Sequence, residues 1–223
     1  MTIVKKLLLA SSLTLASVCY AAIPNYDIEA GKKIVEANCA ACHGINGVSI
    51  APAQPNLGGQ NIRYLYKQLL DFKTGKRVNG IMKAQLQGLT QQDLANVAGY
   101  FASQAPWGVG GYGDPATAHA ATKLYLGGDK SRGVIPCAGC HGPTGAGNEW
   151  AGFPRLGGQH AAYISTQLKA FRAAGRDDEG LSADQMRHND AAKQDEKGMM
   201  QTVASKLSDR DIRILADYIT ALH

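Results

Sequence analysis

Cys39-Ala40-Ala41-Cys42-His43 is a run of residue types that carries chemistry, and Cys137-Ala138-Gly139-Cys140-His141 repeats it 98 positions later. Thiols three residues apart lie one helical turn from each other, so both can add to vinyl groups of a single porphyrin. The histidine that follows is then close enough to ligate the iron from one side. Two other chemistries use a C-x-x-C pair. A redox disulfide has no need of the histidine, and a zinc site needs further ligands nearby, yet the only other cysteine is Cys19. The pattern predicts two covalently bound haem c groups, held through Cys39, Cys42, Cys137 and Cys140, with His43 and His141 as proximal ligands of the irons.

The opposite ligand separates a carrier from a catalyst, because an open iron position binds oxygen species and a filled one does not. Beyond Met1 the methionines are Met82, Met186, Met199 and Met200. Met82 and Met200 each stand seven residues before a leucine, Leu89 and Leu207, and this repeated placement selects them as the axial partners over Met199 and Met186. A thioether favours ferrous iron and raises the reduction potential. A ligating imidazole usually donates its second N–H to an acceptor, and Pro55 and Pro154, 12 and 13 residues after the histidines, offer carbonyls for that bond. Arg77 and Arg176 are candidates either for haem propionates or for a solvated surface. His119, His160, His188 and His223 have no repeated counterpart and read as surface residues.

The elements that position these residues are themselves repeated. Pro55-Asn56-Leu57-Gly58-Gly59-Gln60 answers Pro154-Arg155-Leu156-Gly157-Gly158-Gln159, and Tyr64, Gln68, Phe72 and Arg77 match Tyr163, Gln167, Phe171 and Arg176. Further on, Met82, Leu89, Asp93 and Tyr100 match Met200, Leu207, Asp211 and Tyr218 at an offset 19 residues longer. The extra residues between Arg176 and Met200 are polar and read as a surface loop, with room for a short helix. Apolar residues recur at helical spacing in both copies: Ile62, Leu65, Tyr66, Leu69 and Phe72 in one, Tyr163, Ile164, Leu168 and Phe171 in the other. Asp27 is placed to cap a first helix, and Thr90 and Ser208 to cap the last helix of each copy. The expectation is an all-α chain of two repeated units, 23–105 and 116–223. A Gly- and Pro-rich joint at 106–115 connects them, and its aromatics could tack it against one unit. Each unit has a thin apolar core alone, which a porphyrin would complete.

Residues 1–22 carry Lys5 and Lys6, then a short apolar run, then small residues, the pattern of a secretory signal peptide with Cys19 inside it. The formal charge of +5 falls to +3 without the leader, with the basic excess in the first unit. That excess gives solubility or orients the chain toward an acidic partner, and no dense basic stripe suggests nucleic acid.

On these motifs both units resemble class I cytochrome c domains, and the tandem is similar to the di-haem cytochrome c4 family over nearly all of the chain past the leader. The resemblance implies a periplasmic electron carrier of the respiratory chain, not an enzyme, soluble or loosely associated with the membrane. It implies redox protein partners: an upstream donor such as a quinol–cytochrome c reductase and a downstream terminal oxidase. It also implies haem edges facing across a pseudo-twofold axis. Two alternatives compete: the cytochrome subunit of a flavocytochrome c sulfide dehydrogenase, and a di-haem peroxidase or thiosulfate-oxidising enzyme.

Overall fold

The computed structural model describes residues 23–108, 111, 114–191 and 196–222. The leader reading, with Cys19, and His223 lie outside the described residues. Among the described residues the regular structure is helical, with two isolated antiparallel bridges, Asp129 to Val134 and Asn148 to Phe153. No helix among them is long and apolar enough to cross a membrane.

In the first unit α1 (Ile28–Asn38) starts where the Asp27 carboxylate accepts from the N–H groups of Glu29 and Ala30. Helix α2 (Ala40–His43) follows at once and carries the first cysteine-histidine run. Asn61 caps α3 (Ile62–Thr74), Asn79 caps α4 (Gly80–Gln85), and Thr90 and Asp93 form a reciprocal capping box on α5 (Gln91–Ser103). Helix α5 packs on α1 and α3. The crossing with α1 is so close that a Cβ on Gly31 would lie 2.1 Å from the Asn96 carbonyl oxygen, so only glycine fits there.

The second unit repeats the plan. Asp114 and Pro115 open α6 (Pro115–Gly127), a single 3₁₀ turn covers Lys130–Arg132, and α7 (Ala138–His141) carries the second run. Helix α8 (Ala161–Arg176), α9 (Met199–Ala204) and α10 (Asp209–Thr220) complete it, the last with a Ser208–Asp211 capping box. Helix α10 packs against α6 and α8, and α9 against α8. Each unit has its own apolar core. Val35, Leu65, Phe72, Leu94, Val97 and Phe101 fill the first; Tyr125, Ile164, Phe171, Ile212, Leu215 and Ile219 fill the second.

The joint is pinned where it is described. Trp107, 3% exposed, donates its indole N–H to the Gly157 carbonyl at 2.7 Å. Its ring lies against Gly158, whose positive φ of 75° and contact with the indole both favour glycine. Tyr112, the other aromatic of the joint, is outside the described residues.

Candidate functional site

Each cysteine-histidine run is one tight turn. Cys39 caps the end of α1 with its N–H on the Val35 carbonyl, and its own carbonyl accepts from the N–H groups of Cys42 (3.2 Å) and His43 (3.0 Å). Cys137 does the same for Cys140 and His141 at 3.2 and 3.0 Å. Both thiols of a run therefore project from one short helix. Among the described residues no disulfide links the cysteines of the two runs, and burial, with a lesser contribution from Cys42, pushes the Cys39 thiol up to about 11. Burial likewise pushes Cys137 up to about 11, against a backbone hydrogen bond that lowers it. A redox-active C-x-x-C pair needs a thiol shifted the other way.

His43 and His141 are 8% and 6% exposed. The Nδ1 of His43 lies 3.0 Å from the Pro55 carbonyl oxygen, and that of His141 lies 3.0 Å from the Pro154 carbonyl oxygen. A carbonyl only accepts, so Nδ1 carries the proton and donates, leaving the Nε2 lone pair for a metal. Burial lowers both imidazole pKa values against the opposing pull of these hydrogen bonds, so both rings are neutral at pH 7. Among the described residues no three His, Cys, Asp or Glu side chains gather into a cage for a metal ion. The zinc alternative thus lacks its ligands in space as well as in sequence.

The methionines fall on opposite sides of the question. Met82 sits in α4, its N–H held by the Asn79 side chain at 2.9 Å, and packs against the same core that receives Cys39. Met200 packs against the core that receives Cys137, while its neighbour Met199 is 59% exposed. Met186 is half-buried in the loop after α8. Each core therefore gathers the first cysteine of one run and one repeated methionine. Cations brace the chain just after each methionine helix. Lys73 of α3 donates to the carbonyls of Leu86 (3.2 Å), Gln87 (3.4 Å) and Leu89. In the second unit Arg172 and Arg176 donate to the Leu207 carbonyl at 3.3 and 3.0 Å, and Arg176 to that of Ser205 at 2.8 Å.

The two units are clasped by a pair of glutamines. The Gln159 side chain accepts from the Asn56 N–H and donates to the Asn56 carbonyl, both at 2.9 Å. Gln60 does the same to Arg155, accepting at 2.8 Å and donating at 2.9 Å. Each glutamine thus grips the residue beside the proline that orients the other unit's histidine, a pseudo-twofold exchange. His160 joins in, with its Nε2 3.0 Å from the Ser49 carbonyl oxygen. This corrects the surface reading of His160, whose position at the start of α8 faces the first unit; His119 and His188 are exposed.

A second correction concerns the repeat itself. Arg187, not Arg176, takes the place of Arg77. Arg77 lies 4.4 Å over the Phe72 ring and its N–H donates to the Asp71 carbonyl. Arg187 lies 4.3 Å over the matching Phe171 ring and its N–H donates to the carbonyl of Ala170. The exposed residues 177–185 form the excursion expected of a surface loop, but the chain then returns and buries Arg187, Asn189 and Ala191. Arg77 donates to Gln68 in its own unit and to Tyr163 and Gln167 across the interface; Arg187 donates to Gln167 in its own unit and to Tyr64 and Gln68 across it. Burial opposes ionisation of the Tyr64 phenol, but Arg187, Arg77 and Lys67 outweigh it and hold its pKa below the ordinary value. Arg77, Arg187 and Lys67 thus bring three cations to this interface, where Asp71 accepts from Lys67 and from the Asn189 amide. The signal missed in the sequence was Arg-x-Asn, present as Arg77-Val78-Asn79 and as Arg187-His188-Asn189.

Comparison with known proteins decides the family. The family model described as cytochrome c matches residues 28–105 and again 135–223. The chain belongs to the cytochrome c family. Within it the chain is 45% identical over 206 residues to cytochrome c4 of Stutzerimonas stutzeri, covering 88% of this chain and 90% of the relative. The crystal structure of reduced recombinant cytochrome c4 from Pseudomonas stutzeri superposes with a TM-score of 0.75 at 42% identity, covering 89% of this chain and all of that one. A thiosulfate dehydrogenase electron acceptor of Thiomonas intermedia is 33% identical over 187 residues, covering 83% of this chain and 78% of the relative. The chain is thus a tandem, mostly helical cytochrome of the c4 type, an electron carrier and not an enzyme, and its cofactor is haem c bound covalently in each of two domains.

Proposed function

We propose that this c4-type cytochrome works in the periplasm as a shuttle, taking electrons from a quinol–cytochrome c reductase and delivering them to a terminal oxidase. Cys39 and Cys42 would hold one haem by thioether bonds, and His43 and Met82 would ligate its iron. Cys137 and Cys140 would hold the other, with His141 and Met200 on its iron. Residues 1–22 act as the secretory leader, and 106–115 join units at 23–105 and 116–223. The observation that carries the ligand assignment is duplicated: in both units a buried neutral histidine gives Nδ1–H to a prolyl carbonyl, while a methionine packs on the core that receives the first cysteine.

When bound, haem c supplies an iron that alternates between ferrous and ferric states. The chain keeps its surroundings the same in both. The prolyl carbonyls hold each imidazole in one tautomer and orientation. The methionine helices present a soft donor that raises the potential, and their cation braces oppose withdrawal of that donor. The cores exclude water, and the glutamine clasp holds the two units in one arrangement. A histidine and a methionine holding each iron would leave a substrate no place on it, and the chain's partners would then dock weakly, in a manner sensitive to salt.

The test is a redox titration of material matured with its haems. The mass must exceed that of the chain by two haem groups. Met82→Ala and Met200→Ala should each lower one midpoint potential and spare the other, which assigns ligand and potential together. A high-spin, open iron in the unaltered protein would overturn the reading.

The relative from Thiomonas intermedia favours a second reading for the donor alone: this chain accepts electrons from a thiosulfate dehydrogenase. Reduction rates with that enzyme and with a quinol–cytochrome c reductase, measured side by side, separate the two donors.

A further inference from the structure

The two methionine helices begin in different ways. In the first unit the exposed Asn79 caps α4 itself, its Oδ1 accepting from the Met82 N–H at 2.9 Å. By the correspondence of Arg77 with Arg187, the equivalent residue is Asn189. It does not cap α9 at all. Asn189 is 1% exposed, and its side-chain amide donates to Gln68 Oε1 at 3.0 Å and to Asp71 Oδ2 at 2.6 Å. Its carbonyl accepts from Lys67 Nζ at 2.5 Å. Lys67, Gln68 and Asp71 all lie on α3, in the other unit.

The cap that Asn189 has given up is supplied by the next residue. Gly198, at the N-cap of α9, has no side chain to offer. Asp190 replaces it: its Oδ2 accepts from the Met200 N–H at 2.6 Å and from the Gln201 N–H at 3.3 Å, and its Oδ1 accepts from the Gln201 side chain at 2.9 Å. Asp190 adjoins Asn189 in the chain, so what α3 does to Asn189 is passed to the start of α9 over one peptide bond. In the first unit Asn79 supplies the cap itself, and among the described residues the nearby contact to the second unit is made by Arg77, two positions earlier, which donates to Tyr163 and Gln167.

We infer that Lys67, Gln68 and Asp71 of the first unit are positioning residues for Met200 of the second, acting through Asn189 and Asp190. Through the caps the first unit sets the placement of the second unit's methionine, while Asn79 holds the Met82 N–H with no hydrogen bond of its own to the second unit among the described residues. This rests on the proposed ligation by Met200 only for its consequence at the iron; the mechanical link stands on the hydrogen bonds themselves.

The experiment uses the full-length protein matured with its haems and two variants, Asp71→Ala and Lys67→Met. Alanine keeps α3 a good helix, and Lys67 is half exposed, so both are compatible with folding. The first readout is amide hydrogen exchange at Met200 and at Met82. Loss of one charged hydrogen bond in the relay should speed exchange at Met200 by about tenfold while Met82 keeps its rate. The second readout is the midpoint potential and the methionine methyl NMR signal of each haem, and both should move for the second haem alone. Unchanged exchange at Met200 in both variants overturns the inference. So does an equal acceleration at Met82, which would report general loosening of the fold. If the unaltered protein shows no iron-shifted methyl signal from Met200 while its amide still responds to the variants, the ligation reading fails and the relay stands.

Discussion

Asp211 shows how a single side chain serves two ends of the second unit. It completes the Ser208 capping box on α10 and pairs with Arg132, whose Nη1 lies 2.6 Å from Oδ2. Burial alone would raise the Asp211 pKa. The hydrogen bonds from Arg132 and Ser208 and the charge of Arg132 outweigh it and leave the carboxyl below its ordinary value. A depressed folded-state pKa means that the ionised form stabilises the fold above the unfolded pKa, near 3.9, and that the contribution disappears as pH falls through the folded value. Asp211→Asn should therefore lower unfolding free energy by about 1–2 kcal/mol near pH 7, the partly exposed arginine limiting the size. The gap from the unaltered protein should close as pH falls below about 4, read from urea denaturation at several pH values. A gap independent of pH would mean that the charge of Asp211 contributes nothing. At this scale the sequence was most readable where a residue acts locally: the caps at Asp27, Thr90 and Ser208 and the prolyl acceptors of His43 and His141 follow from spacing alone. His160 was misjudged because its partner, the Ser49 carbonyl, lies far along the chain, where no residue pattern announces it.

Among the elements, the short methionine helices are the least self-sufficient. Helices α4 and α9 have six residues each, too few to persist without outside support. Support comes from the neighbouring long helix, through Lys73 in the first unit and Arg172 and Arg176 in the second. Lys73→Met keeps the aliphatic stem and removes the charge. It should cost about 1 kcal/mol in unfolding free energy and speed amide exchange in the segment 86–89 well above the rate in α5. Unaltered exchange there would show that the ammonium is an idle surface group. The long helices were legible from apolar periodicity. The short ones were marked only by their methionines, because six residues contain too few turns to display a period. The added residues of the second copy were read as one loop. They divide instead at Arg187: aligning arginine with arginine at the nearest offset chose Arg176, whereas stacking on Phe171, and the Arg-x-Asn shared with Arg77, mark the true counterpart.

For the molecule as a whole, the repeat in the sequence announced two alike units, yet it did not disclose how they meet. The clasp uses glutamine side chains on backbone groups, so nothing in it covaries visibly with a partner residue. Replacing both Gln60 and Gln159 with alanine removes four hydrogen bonds across the interface. The double variant should raise the radius of gyration in X-ray scattering and lower the urea midpoint, with a loss of about 2–4 kcal/mol. Scattering identical to that of the unaltered protein would assign cohesion to the remaining contacts, the arginine network, Lys67 and Asp71 on Asn189, and His160 on Ser49. The joint adds a restraint of another kind, for Trp107 is seated against the Gly-Gly turn of the second unit. With Trp107 seated there and the glutamines clasping both sides, the two units are held in one arrangement. Exchange of an electron between the two halves then needs no diffusive search and proceeds at a pace indifferent to the viscosity of the medium, whereas hand-over to another protein slows as the medium thickens.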